Sequence, residues 1–155
     1  MTSKTVEVRI TDPRVHAWGI PRYMTEWSAG IDLHACIDRP VELFPQAPAT
    51  LIPSGIAILI GDPFIAGLIL PRSGLGHKTG LVLGNSVGLL DADFSSTVMI
   101  SAWNRNPGGE SLTITPGDRI AQLVFVPVIR PHLNIVEVFS TTTQRGAGGF
   151  GSTGT

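Results

Sequence analysis

Read for polarity alone, the chain is a succession of short apolar or alternating runs, each cut off within a few residues by glycine or proline. The runs 5–10, 31–36, 41–44, 55–60, 64–70, 111–114, 120–129 and 134–138 carry β-branched and aromatic residues, either at period two or as unbroken apolar blocks. Half-buried and fully buried strands read this way. No window of a dozen residues keeps a 3.6-residue period, and the one helical candidate is 73–79, just after Pro71-Arg72. The stretch 81–104, LVLGNSVGLLDADFSSTVMISAWN, predicts two strands folded back on each other. Its arms are Leu81-Val82-Leu83 and 97–103, and Gly84, Asn85, Ser86, Gly88, Asp91 and Asp93 between them supply turn chemistry. The pattern predicts an all-β fold, a sandwich or barrel of many short strands with one short helical turn, with jelly roll as the leading version.

Composition narrows the picture. At 155 residues the chain is one domain's worth, and 43% hydrophobic against 15% charged residues is a low charge density for a monomer of this size, so an oligomer is expected. Net charge is -1 and the eleven cations, of which only Lys4 and Lys78 are lysines, are scattered, so no basic stripe exists to track a nucleic acid. Cys36 is the single cysteine, and between Ala35 and Ile37 it reads as a small buried hydrophobe. The start MTSKTVEVRI has no apolar leader core, and no apolar run approaches the ~18 residues that span a bilayer, so a cytoplasmic protein without a membrane partner is expected. Residues 141–155 change to Ser, Thr and Gly with single Arg145 and Phe150, which divides the chain into a 1–140 β domain and a 141–155 glycine-rich arm.

Several places carry candidate chemistry. Asn85 offers an amide with two donors and an acceptor at the polar end of the hairpin, where unladdered backbone groups can read a flat heterocycle. Asp91 stands where the apolar run 87–90 stops, a seat for a general base, though Asp and Asn also simply cap turns. Arg72-Ser73-Gly74, between a strand and a helical turn, outlines an anion seat, with a plain serine cap beside a surface arginine as the alternative. Gln122, in an otherwise apolar strand, needs partners, either backbone or ligand. Asp32 is an acid in mid-strand, either facing outward or placed to hold water on a Mg²⁺ carried in by a polyphosphate. The arm RGAGGFGSTG lets a backbone wrap a ligand, with Arg145, Ser152 and Thr153 for phosphate oxygens and Phe150 for stacking on a base. His16, His34, His77 and His132 are isolated from one another, so no zinc site is expected.

Taken in order, SAGIDLHA (28–35), PRSGLG (71–76), GNSVGLLDADF (84–94), PGDRIAQLVF (116–125) and RGAGGFGSTG (145–154) resemble the five motifs of the trimeric dUTP diphosphatases, in their bacterial branch. The resemblance implies a jelly-roll homotrimer whose three sites lie between subunits, each closed by the C-terminal arm of a neighbour. It implies hydrolysis of dUTP to dUMP and pyrophosphate with Mg²⁺ on the triphosphate, and with it removal of dUTP from the nucleotide pool and supply of dUMP for thymidylate synthesis. By the same resemblance Asp91 activates water for in-line attack at the α-phosphorus and contacts the sugar. Asn85 with the backbone of Leu89, Leu90 and Met99 reads uracil, and Phe94 lies against the sugar. Arg72, Ser73, Gly74 and Gln122 hold phosphates, and Asp32 reaches the metal through water. Phe150 stacks on uracil, while Arg145, Gly151 and Ser152 belong to the arm that closes on the substrate. Two positions depart from the family pattern: Phe94 with Ser95-Ser96 stands where a Tyr and a following Gly are usual, and Trp27 stands where a small residue is usual. Related dCTP deaminases and a catalytically silent module on the same trimer are the competing readings.

Overall fold

In a computed structural model, residues 4–143 and Gly146 are described. Three antiparallel sheets build the fold. One takes β1 (Glu7–Ile10), β4 (Thr50–Leu59), β8 (Thr97–Asn104) and β6 (Leu81–Leu83), in the order β1-β4-β8-β6. The second takes β2 (Gly30–His34), β10 (Arg119–Pro127), β5 (Ile65–Pro71) and β7 (Gly88–Leu90), in the order β2-β10-β5-β7. A two-stranded ribbon joins β3 (Val41–Leu43) to β9 (Leu112–Ile114). The two larger sheets pack face to face as a jelly-roll sandwich, with Leu33, Ile52, Ile56, Ile58, Val98, Ile100 and Leu123 sealed between them. The burial pattern iBiBi of β2 and iBeBiBiB of β8 is the alternation that the sequence shows. Helix is confined, among the described residues, to α1 (Val15–Trp18) and α2 (Ser73–Lys78), and neither is long and apolar enough to cross a membrane.

Four local expectations are corrected. The strand expected at 55–60 begins at Thr50, because Pro53 and Gly55 do not end it. Gly55 takes φ +77, a bulge shifts the register between Pro53 and Ala57, and the strand continues from β8 onto β1. A Cβ on Gly55 would lie 2.5 Å from Val15 Cγ2 and 2.9 Å from Cys36 Sγ, so glycine serves both the turn and the packing. The segment read as one polar turn contains β7, which crosses to the second sheet and pairs with β5 (Gly67↔Leu90, Ile69↔Gly88). The run 134–138 is not a strand, since no strand among the described residues offers it a ladder. Its apolar side chains stand in the open, with Ile135 97% and Val138 82% exposed. The short α1 has too few residues for a period to be seen.

Candidate active site

The second sheet gathers one group of candidates. β5 stops at Pro71, and α2 starts at Ser73 with Arg72, in extended conformation, as its N-cap residue; Ser73 is therefore inside the helix and not its cap. Ser73, Gly74, Arg72, Asp32 and Gln122 line a single open cavity of about 690 Å³, which Lys78 from the end of α2 also faces. Asp32 sits on the outer face of β2, its side chain 17% exposed, opposite Gln122 in register. Arg72 Nε meets its Oδ1 at 3.1 Å and Arg119 Nη1 meets its Oδ2 at 3.1 Å. Asp32 is thus a paired acid and not merely an outward-facing one. Gln122 donates from Nε2 to the carbonyl of Pro71 at 3.1 Å, so its partner is backbone, and that bond fixes the strand end that carries Arg72. Gly30 makes room for this: a Cβ there would come within 3.1 Å of Gln122 Oε1.

A second group sits on the hairpin side. Asp91 directly follows β7, is exposed, and lines a cavity of about 630 Å³ with Asp93, Arg130 and the apolar Ile65, Ala66 and Val128. The carboxylate does stand at the edge of an apolar slot. Leu90 is buried, while Leu89 is 64% exposed. Phe94 packs on the core, its N–H donating to the carbonyl of Asp91 at 3.1 Å. Asn85 lies exposed in the turn after β6, and its amide makes no hydrogen bond within the described residues. Across from it, the ladder between β6 and β8 ends with Gly84 N–H donating to Ser101 C=O at 2.9 Å. Backbone groups two residues apart on a strand point the same way, so the N–H and C=O of Met99 face the hairpin beyond the last residue of β6. On its other side Met99 stands opposite Pro53, which has no N–H to give.

The two groups occupy opposite ends of β5. The register Gly67↔Leu90 sets Asp91 beside the Ala66 end, whereas Arg72 follows the other end. Six residues at ~3.3 Å each separate them by roughly 20 Å. Within one chain Asp91 and Arg72 therefore stand far apart. Arg145, Phe150, Gly151 and Ser152 lie outside the described residues.

Among the described residues no three His, Cys, Asp or Glu side chains cluster in a way that could hold a metal ion. Asp32 is, among the described residues, the sole carboxylate on the Arg72 cavity. One carboxylate suits a Mg²⁺ that keeps most of its waters and takes its other ligands from phosphates, so the donor set of this cavity fits an ion arriving on a polyphosphate. His34, on the same outer face, is stacked at 6.4 Å between ring centroids on Trp18, and burial pushes its pKa down. Cys36 is buried, and burial pushes its thiol pKa up, as suits a packing residue. Trp27 is 91% exposed, so it does not disturb the packing before β2. Sequence reading assigns no role to two residues at or beside the Arg72 cavity, Lys78 and Arg119. The signal for Arg119 was its place beside the Pro116-Gly117-Asp118 turn, on the strand that carries Gln122.

The chain is similar to known proteins over nearly its whole length. A model of the dUTPase family matches residues 16–154. The deoxyuridine 5'-triphosphate nucleotidohydrolase of Cronobacter sakazakii is 57% identical over 97% of both chains, and that of Salmonella paratyphi A is 55% identical over 97% of this chain and 98% of its own. Among solved structures, a dUTPase of Staphylococcus bacteriophage 80alpha with dUpNHpp, a point mutant, superimposes with a TM-score of 0.82 at 28% identity, covering 99% of this chain and 100% of that one. A mutant dUTPase of phage phi11 of S. aureus, which coordinates a structural Mg(II) ion, has a TM-score of 0.75 at 27% identity over 88% of this chain and 99% of that one.

Proposed function

The chain belongs to the dUTPase family and is a dUTP diphosphatase, and from that premise we propose that it cleaves dUTP to dUMP and pyrophosphate in a site built from more than one copy of itself. The observation that carries the composite site is the separation of roughly 20 Å along β5 between the candidate base and the candidate phosphate seat. A base must come within hydrogen-bond reach of the water it deprotonates, so Asp91 acts on a triphosphate held by another chain's Arg72, Ser73, Gly74 and Gln122. A closed homotrimer repeats that pairing three times. The exposed apolar residues of 129–139 and the low charge density support burial between copies.

Within such a site Asp91 takes a proton from the water that attacks the α-phosphorus in line with the leaving pyrophosphate. Arg72 and the amide groups at the start of the 73–78 segment neutralise charge on the phosphates. Asn85 with the backbone of Leu89, Leu90 and Met99 reads the uracil edge, while the ring of Phe94 lies against the sugar. Asp32 would hold, through water, a Mg²⁺ carried in on the triphosphate, and that ion would supply further charge neutralisation. Arg145, Phe150, Gly151 and Ser152 close a neighbour's site over base and terminal phosphate, which excludes water other than the nucleophile. The product dUMP is the direct precursor for methylation to thymidylate, and the reaction keeps dUTP out of the pool.

Pyrophosphate release measured with dUTP, UTP, dCTP, dTTP, dATP and dGTP tests the reading. dUTP alone should turn over rapidly, and Asp91→Asn should keep most affinity for dUTP while losing roughly two to four powers of ten in kcat. Parental turnover by Asp91→Asn would remove it as the base, and ammonia release from dCTP would point to a deaminase.

A further inference from the structure

The outer face of the second sheet carries an arginine that the proposed reaction does not use. β10 begins with a bulge: Arg119 pairs with His34 and Ala121 with Leu33, so Ile120 has no partner of its own. Without the extra residue, alternation from the outward Gln122 would turn Ile120 outward and Arg119 into the core. With it, Ile120 and Ala121 both point inward, 3% and 0% exposed, and Arg119 emerges on the same face as Gln122 and Asp32. Bulges of this kind re-aim side chains beside functional sites. Here the re-aimed side chain goes to one atom, Oδ2 of Asp32.

The two guanidinium groups on Asp32 are not equivalent. Arg72 faces the phosphate cavity, whereas Arg119 faces a neighbouring hollow of about 380 Å³ that it shares with His34 and Asp118, and Asp32 stands in the wall between the two. An arriving triphosphate competes with Oδ1 for Arg72. Were Arg72 the only cation on Asp32, its departure would leave a largely buried carboxylate uncompensated next to a polyanion, at a cost set against binding. The backbone carbonyl of Arg119 also accepts from Arg72 Nη1 at 3.1 Å, so Arg72 stays tethered in every side-chain variant at 119.

We propose that Arg119 is a positioning residue of the phosphate site: by clamping Oδ2 of Asp32 it frees Arg72 to turn from Oδ1 to the triphosphate and keeps Oδ1 aimed at the cavity. The inference rests on the proposed roles of Asp32 and Arg72. Calorimetric binding of the non-hydrolysable dUpNHpp with Mg²⁺ to the full-length Arg119→Gln, Arg119→Lys, Asp32→Asn and Asp32→Asn/Arg119→Gln proteins tests it, with thermal melting and light scattering on each. Arg119→Gln and Asp32→Asn should each weaken binding about tenfold, the range for losing one charge-assisted hydrogen bond, and the double variant should be no weaker than either. Arg119→Lys should recover most of the loss. A double variant weakened about a hundredfold, the product of the two, would show Arg119 acting apart from Asp32 and overturn the proposal. Asp32→Asn binding as tightly as the parent would overturn the role of Asp32 itself, and the inference with it.

Discussion

If the site joins Asp91 of one subunit to Arg72 of another, two inactive chains should make an active enzyme. Arg72→Ala removes the cation from the phosphate seat and leaves Asp91 untouched at the far end of β5; Asp91→Asn does the reverse. Each alone should lose at least two powers of ten in kcat/KM. Refolded together in equal amounts and allowed to assemble at random, a site is intact when its base comes from the Arg72→Ala chain and its phosphate seat from the Asp91→Asn chain. That chance is one half times one half, so about a quarter of parental activity should return. The assay is pyrophosphate release from dUTP, against the same two proteins refolded separately and then combined without exchange. A site contained in one chain predicts no recovery, since every chain in the mixture lacks one half. Mixed trimers, verified by differential tagging, that stay as inactive as their parents would refute the composite site. The ~20 Å separation would then have to be bridged by movement within one subunit.

Other outcomes follow from single features. A chain cut after Gln144 should stay folded and trimeric by light scattering yet be nearly inactive; unchanged kcat would remove the arm from the mechanism. Gly55→Ala combines a left-handed φ of +77 with overlap onto Val15 and Cys36, and should cost about 2–4 kcal/mol in denaturant unfolding; a parental midpoint would show that the bulge yields. The Asp12 carboxyl, held below its usual range by Arg14 through Nη2 at 2.7 Å and Nε at 2.9 Å, contributes stability that is complete above its unfolded value of 3.8 and fades as pH falls below it. Asp12→Asn should therefore flatten the acid limb of the melting profile. His34, whose burial pushes its pKa down, is penalised when it must take up a proton, so stability should fall as pH drops below its ordinary 6.5, and His34→Gln should remove the dependence there. With Phe94 presenting an apolar ring to the sugar, UTP should be used roughly ten- to a hundredfold less efficiently than dUTP, and Phe94→Ala should erode the ratio.

The residues that sequence reading found most easily are those whose chemistry contradicts their surroundings. Asp32 and Gln122 are polar in apolar strands, and the structure accounts for both by pairing them with Arg72, Arg119 and the Pro71 carbonyl. Strands of alternating polarity such as β2 and β8 were legible because one face is buried. β7 was not: three residues, Gly88, Leu89 and Leu90, are too few for a period, and their partner β5 is remote in sequence. The run 134–138 misled for the opposite reason, since its strand-like composition finds no ladder among the described residues of its own chain. Arg119 was hidden because its direction depends on an unpaired Ile120, and a bulge leaves no mark on hydrophobic pattern beyond two adjacent inward residues. The opposite-end placement of Asp91 and Arg72 follows from pairing register, which no spacing along the chain encodes.

The open edge of β8 at Met99 bears on how a base would be chosen. An unpaired peptide N–H beside its own C=O is what one residue of a missing strand would have satisfied, and the imide edge of uracil, a carbonyl next to an N–H, presents the same complementary pair. On the proposed reading the nucleobase enters as a substitute for one strand residue. Cytosine carries an acceptor at N3 and an amine at C4, so it presents its donor and acceptor in reverse, and a peptide unit held between Ile100 and Val98, both fully buried, cannot turn over to meet them. Exclusion of cytosine would then be written in the main chain. Replacing the Met99 side chain should leave base preference unchanged, whereas the amide of Asn85 is a side chain through which the alphabet could be altered.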